Sequence, residues 1–499
     1  MLNIPTALIF TSLLLLVTYL YQKWATSRRH HVTAMQHGCQ PPAKYPHRDP
    51  FWGYDLLIQR IKAAKDGRQL ALYMKHFSIY GKTWEENFLG KRVINTMEMK
   101  NIQHVASSGF EDYGKGSAAM GKKFLGDGIF SQDGPEWRHS RDMIKPIFSR
   151  SELSDVERLD FHIDRLVNLI PRDGSMIDLQ DPINKMFIDS SSEFLLGKSM
   201  DLQLNDDDSN EAADFLTAFQ ACLVGLGKRR LLGHMRHIYD LFDKNWPQSC
   251  QKVHHYTDIQ IKRALEEISE PQGKSERRYL LIHELARQIP DPIKLRSQIL
   301  QIWVPSRDTT ALVVNSSIFQ LARRPEIWEQ LRVESLAIGD EPITFELLRS
   351  LKLFKYVVYE TLRLQGPSSR VQKVAVRDTI LPVGGGPDGK APLFLEKGTD
   401  IILNLWGLHH DKDIWGDDVD QFRPERFADK RFTWDFVPFL GGPRICPAQQ
   451  QVLTHCVQVL VRLTREFSRI ENRDPVLEYV EMWRLLPESR NGIKVALFV

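Results

Sequence analysis

The stretch Phe436–Gln451 reads FVPFLGGPRICPAQQQ. One cysteine, Cys446, follows a loop containing Gly441, Gly442 and Pro443, and Arg444 stands two residues before it. A run with helical character starts just after it. A glycine- and proline-rich loop leaves its backbone unshielded, so it can hold a thiol rigidly while amide N–H groups point at the sulfur. Such donors and a helix N-terminus favour the thiolate, the metal-binding form. With only Cys456 nearby, a zinc site lacks its usual four ligands. Haem iron takes a single axial ligand from the protein. The plainer reading of the same loop is a structural thiol.

The run Phe439-Leu-Gly-Gly442-Pro-Arg444-Ile-Cys446-Pro-Ala448 resembles the haem-binding signature of cytochromes P-450. The family's aromatic, glycine and arginine match at seven, four and two residues before the cysteine. Its glycine two residues after the cysteine is replaced by Ala448, which is still small.

Three further segments resemble the family in the same order. Trp137 and Arg141 lie i,i+4 on a helix expected to begin at Gly134-Pro135 and run to Arg150, so they share a face. The resemblance implies that this pair reaches a haem propionate. Asp308 and Thr309, in Val304-Pro-Ser-Arg-Asp-Thr-Thr310, match the acid–alcohol pair of the oxygen-activation helix. That helix is expected from Asp291 as N-cap, with Pro292 first, to about Ala322 before Arg323, Arg324 and Pro325. Glu360 and Arg363 match the family's Glu-x-x-Arg on a helix over Phe345–Leu364, with Arg426 as their partner. A buried Glu held by two arginines makes charge-assisted hydrogen bonds that fix the cysteine loop, a structural task. Lys373 stands where many relatives carry a propionate-binding arginine, with Arg370 nearby. The resemblance therefore implies haem b bound by Trp137, Arg141, Lys373, Arg444 and Cys446.

The oxygen-activation segment departs from the family at Pro305-Ser306, where small residues are usual. Proline removes its N–H and clashes with the carbonyl four residues back, so a kink at Gln301–Pro305 is expected. One reading is that proline forces open the groove that glycine usually permits. The other is a disturbed oxygen site and less demanding chemistry.

Bulk properties agree with a large catalytic domain. The chain has 499 residues, 42% of them hydrophobic, enough for an extensive core. A net charge of +3 gives no reason to expect nucleic-acid binding. Five scattered cysteines suit a reducing compartment better than a disulfide framework.

Residues 1–22 read as a transmembrane anchor, because Ile4–Tyr21 is nearly all apolar and long enough to span a bilayer. A cleaved signal peptide is the rival, but no positive charge precedes the run. Lys23, Arg28 and Arg29 follow the run, which places the rest of the chain on the cytoplasmic side. Residues 23–50 read as a basic, proline-rich linker and 51–499 as one catalytic domain. An endoplasmic reticulum membrane location is what the resemblance adds.

Short strands are expected near Thr83–Leu89 and Val93–Met97. A hairpin is expected over Leu381–Leu403 around GGGPDGKAP. A phosphate loop fails there, since no Gly-Lys-Ser/Thr follows and no helix opens. The wording Leu381-Pro-Val-Gly-Gly-Gly-Pro-Asp-Gly389 also resembles fungal membrane-bound alkane and fatty-acid hydroxylases. His409 and His410 have no metal-binding partners at suitable spacing and read as ordinary polar residues. Asp206–Asp208 reads as a solvated loop.

The implied fold is mainly α with a small β region. The implied reaction is monooxygenation of a hydrophobic small molecule with O2 and electrons passed from NADPH by a flavoprotein reductase. Tailoring of a fungal secondary metabolite and fatty-acid or alkane ω-hydroxylation are the two substrate readings. A reductase-independent haem isomerase or dehydratase and a non-catalytic haem-binding protein are the rivals from other classes.

Overall fold

A 30-residue helix, Pro292–Leu321, runs through the interior of the computed structural model. The residues described are 4–116, 121–148, 156–204, 211–269 and 281–499, and the side chains of 4–10, His234 and Ser269 lie outside the description. Asp206–Asp208 and residues 149–150 are also outside it. The Asp291 carboxylate accepts from the N–H groups of Ile293 and Lys294, so the predicted cap starts the long helix. Its buried polar side chains must be paired. Ser317 Oγ donates to Val313 O and lies 3.1 Å from Thr361 Oγ1, and Asn315 reaches Asn184 at 3.2 Å.

Helices Gln180–Leu196, Lys352–Gln365 and Gln449–Glu466 pack along it. They share one apolar core that includes Phe187, Val314, Phe354 and Leu460. A second core joins the other half of the long helix to Glu211–Leu232 and Asn245–Ser269 through Phe219, Val253 and Trp303.

The β region is small. Strands β1 (Ala43–Lys44), β2 (Thr83–Phe88), β3 (Lys91–Thr96), β4 (Tyr113–Gly114), β6 (Arg370–Ala375) and β9 (Asp400–Asn404) form one sheet in the order β1-β2-β3-β9-β6-β4. β7 (Thr379–Gly385) and β8 (Ala391–Leu395) form an antiparallel hairpin. β10 (Arg469–Asn472), β13 (Lys494–Phe498) and β5 (Ile177–Asp178) form a three-stranded sheet, and β11 (Glu481–Trp483) pairs with β12 (Pro487–Ser489).

Several expected elements are redrawn. The hairpin ends at Leu395, and the chain turns at Gly398 so that β9 joins β3 and β6 instead. All five β9 residues are buried, as in a strand covered on both faces. The helix expected over Phe345–Leu364 is two helices, Phe345–Ser350 and Lys352–Gln365, separated at Leu351. Leu351 is extended, with ψ 96°, and buries its side chain in the core. The Trp137 helix closes at Ile144 and continues as a 3-10 turn over Lys145–Phe148, because Pro146 lacks the N–H to prolong it. The long helix runs unbroken through Pro305. Hydroxyls there fold back one turn: Ser306 Oγ donates to Ile302 O and Thr309 Oγ1 to Pro305 O.

At the N-terminus a single helix covers Ile4–Gln36, about 50 Å at 1.5 Å per residue. It continues past residue 22 through the first half of the basic, proline-rich segment. His30 lies 3.0 Å from the Asp378 carboxylate and near the Phe394 ring, so this end rests on the β7–β8 hairpin. Pro41 O accepts from Gly386 N–H, and a Cβ on Gly385 would fall 2.3 Å from Gln40 O. The glycine run therefore admits the backbone of the proline-rich segment. Among the described residues, no helix is long and apolar enough to cross a membrane. The described side chains begin at Thr11, where the expected span is already part complete.

Candidate active site

The cysteine loop is tightly specified. Leu440 has φ +60°, a left-handed value uncommon for leucine, and Gly442 has φ +67°. A Cβ on Gly442 would lie 2.0 Å from Ala106 O. The loop thus sits against the His104–Ser108 turn with no room for a side chain. Cys446 N–H donates to Phe439 O at 3.0 Å. All five cysteines are free thiols. Burial pushes the Cys446 thiol up, and the Ala448 amide and Arg141 oppose it without prevailing. Burial thus works against the thiolate that the loop's donors favour. A coordinated metal ion deprotonates such a group outright.

Around this loop lie buried and half-buried cations with too few anions. Arg141 feels the charge of Cys446. The Arg444 guanidinium stacks 4.2 Å from the Trp137 ring centre, donates to Gln132 O, and pairs with Asp133. Burial brings Arg444 down to about 10 and leaves its Nε without an acceptor. Lys373 is 2% exposed. Burial, then Arg444, brings it down to about 8. Lys115 is held well below the usual lysine value by burial, then by Arg444 and Lys373. Asp133 is the carboxylate this group shares. Four cations beside a half-buried thiol fit a flat dianionic ligand bound through its metal by sulfur and through its acid groups by Arg, Lys and Trp. Haem has that shape and charge.

Lys115 and Asp133 have no counterpart in the sequence motifs. The Asp133 carboxylate, just before Gly134-Pro135, binds Arg444 and the Lys115 N–H. Lys115 lies in an irregular segment with no spacing to announce it.

Glu360, Arg363 and Arg426 meet in the interior. Arg363 Nε and Nη2 donate to the two Glu360 oxygens at 2.7 and 2.8 Å. Arg426 Nε and the Arg423 N–H add bonds of 3.1 and 2.9 Å. Arg363 Nη1 also donates to His409 O. Val437 N–H donates to His409 Nε2 at 3.0 Å, so the proton of that neutral ring sits on Nδ1. His409 thus ties the Glu360 cluster to the strand of chain entering the cysteine loop, a role no motif signalled.

Burial lowers His409 and His410 from 6.5 to about 3. Their folded pKa lies below the unfolded one, so the unfolded chain binds more protons between those values. Stability is complete above about pH 6.5 and is lost as pH falls toward 3, by up to about 1.4 kcal/mol per pH unit for each ring. We expect the thermal midpoint to drop from pH 7.5 to pH 5. A midpoint that is flat or rises over that range would contradict the buried neutral assignment.

Asp308 and Thr309 are neighbours on the long helix, and adjacent side chains there point in different directions. Thr309 caps the Pro305 carbonyl. Asp308 turns to Arg307 Nε at 2.9 Å and, with Arg484 and Glu488, lines a cavity of about 40 Å³. Burial raises Asp308, against the pull of Arg307 and Arg484. Such a cavity holds a water or two. Among the described residues, no cluster of His, Cys, Asp and Glu could hold a metal ion.

A helical body with a half-buried thiol in a glycine loop and a buried Glu360–Arg363–Arg426 cluster fits a haem-thiolate protein. The cytochrome P450 family model matches residues 44–494, and the chain belongs to that family. It is 36% identical to cytochrome P450 monooxygenase iccC of Talaromyces variabilis, over 99% of both chains. It is 37% identical to cytochrome P450 monooxygenase apdE of Emericella nidulans, over 93% of this chain and 89% of that one. With fsdH of Fusarium heterosporum, also a cytochrome P450 monooxygenase, it shares 38%, over 92% and 83%. The protein is a monooxygenase that uses haem-thiolate iron, O2 and electrons from a reductase.

Proposed function

We propose that this enzyme oxidises a hydrophobic precursor in the tailoring of a fungal secondary metabolite. Electrons come from NADPH through a flavoprotein reductase. An N-terminal anchor over residues 1–22 holds the enzyme to the endoplasmic reticulum membrane, with the catalytic domain in the cytoplasm. The observation carrying the reading is the Cys446 loop ringed by Arg141, Lys373, Arg444 and Lys115. The fungal monooxygenases to which the chain is similar support the substrate class.

Haem, when bound, supplies dioxygen activation and oxygen insertion. The chain's own residues position and supply protons. Trp137, Arg141, Lys373 and Arg444 would hold its acid groups, and Cys446 would supply its thiolate ligand. Asp308 would take protons from the water-sized cavity beside Arg484 and Glu488, and the Thr309 hydroxyl, now donated to Pro305 O, would hand on a proton once released from that carbonyl. Glu360, Arg363 and Arg426 keep the loop in place.

Metabolite profiling of microsomes carrying the enzyme and a reductase, fed candidate precursors and lauric acid, tests this. Oxidised product should require NADPH. Turnover that persists without NADPH or reductase would favour an isomerase or dehydratase instead.

Pro305 accepts the Thr309 hydroxyl through its backbone carbonyl, which any residue supplies. Replacing Pro305-Ser306 with Ala-Gly should therefore shift NADPH coupling less than about twofold, or ~0.4 kcal/mol. A large gain in coupling would show that proline disturbs the oxygen site.

A further inference from the structure

A second group of cations lies away from the cysteine loop, and none of the steps above employs it. Strand register places it on one face of the large sheet. Asn95 is opposite Trp84 on β2 and Ile402 on β9, and Arg370 is opposite Asn404. Side chains alternate along a strand, so Glu86, Asn95 and Arg370 share a face, and Lys373 takes the other. Helices Tyr54–Asp66 and Gln69–Tyr80 cover the Arg370 face and bring Arg60 and Tyr73. The Arg370 guanidinium stacks 3.9 Å from the Tyr73 ring centre. Arg230, near the end of helix Glu211–Leu232, donates to Arg370 O at 3.3 Å.

The charges in this group do not balance. Three guanidiniums share one carboxylate, Glu86, which already binds Arg60 at 2.6 Å. Among the described residues, no carboxylate lies within ion-pair distance of Arg230 or Arg370. Three buried donors have no acceptor: Nε of Arg60, Nδ2 of Asn95 and Nε of Arg370. Arg60 is 4% exposed and Asn95 2%. Each orphan is unfavourable, and every missing partner is an acceptor. The gap is anion-shaped. Arg370 is half-buried and its guanidinium is brought down to about 10 by desolvation, while Arg230 is exposed. Both guanidiniums are therefore accessible to a ligand.

We infer that Arg370 and Arg230, with Arg60 and Asn95 beside them, dock the anionic end of the substrate: a carboxylate or ionised enol on an otherwise hydrophobic molecule. The inference rests on the monooxygenase reading and narrows its substrate class. A guanidinium fork suits a planar, two-oxygen anion. The helix carrying Arg230 also carries Gln220 and Leu223 at the Asp308 cavity. Ten residues separate 220 from 230, about 15 Å along a helix. A molecule held by its acid at Arg370 thus extends that distance toward Asp308 and Thr309.

The test titrates purified holoenzyme with dodecanoate and, separately, with methyl dodecanoate, read by equilibrium dialysis. Wild type should prefer the acid by at least about tenfold, ~1.4 kcal/mol. In R370Q the preference should fall below about threefold, with ester affinity unchanged and R370K retaining part of the preference. R230Q should reduce the preference as well. Equal binding of acid and ester by wild type, no binding of the acid, or an intact preference in R370Q would each overturn the inference and leave a water-filled, structural pocket. The ferrous–carbon monoxide spectrum separates the two levels. A normal spectrum without acid preference sinks only the anion site, and an absent thiolate band sinks the monooxygenase reading.

Discussion

Cys446→Ala should lose the long-wavelength Soret band of the reduced, carbon monoxide-bound protein and monooxygenase turnover by at least about a thousandfold, ~4 kcal/mol of barrier. No second thiol can substitute. Cys456, the nearest in sequence, is wholly buried on the following helix, and burial drives its pKa far up. Cys222 and Cys250 lie against each other between two other helices, in the second core. The thiolate's electron donation, which favours O–O cleavage, therefore disappears with the sulfur. The fold should survive, since the change removes one sulfur from a loop whose main-chain bonds remain, notably Cys446 N–H to Phe439 O. Circular dichroism and thermal melting of the variant should stay near wild type while the spectrum changes. Retention of the same Soret band in Cys446→Ala would overturn the assignment of the ligand and the site built on it.

Some parts of this architecture are legible in sequence and others are not, for a physical reason. Cys446, Arg444, Glu360 and Arg363 sit within short motifs because local backbone geometry sets their relations. Asp291 and Pro292 mark a helix start for the same reason. The partners that complete the site arrive from far away. Asp133 reaches Arg444 across 311 positions, and Arg370 meets Tyr73 and Arg230 from three separate segments. Single-chain periodicity carries no information about such meetings. The fate of β9 shows the same limit. Its sequence reads as part of the Leu381–Leu403 hairpin, but its pairing is decided by β3, some 300 residues earlier. His409 reads as an ordinary polar residue until Val437 and Arg363 are seen on either side of it.

The other large effect is expected at Glu360. Its side chain and that of Arg363 are 0% exposed. The carboxylate accepts four bonds, from Arg363 twice, from Arg426 and from the Arg423 N–H. Glu360→Ala leaves the Arg363 guanidinium buried without its counter-ion. Breaking one partner of a buried pair typically costs about 3–5 kcal/mol, a large share of the ~5–15 kcal/mol that holds a protein folded. We therefore expect little soluble holoprotein from Glu360→Ala, and similarly from Arg363→Ala, which also frees His409 O. Arg426→Ala should be milder. Its side chain is 11% exposed and is shared with Asp418, and removing it leaves the Glu360–Arg363 pair intact. The order Glu360→Ala and Arg363→Ala well below Arg426→Ala, in haem content and in thermal midpoint, distinguishes a structural clamp from a catalytic acid. A catalytic Glu360 would instead give Glu360→Ala a normal midpoint and full haem content with turnover abolished, and that outcome would remove the clamp from the account.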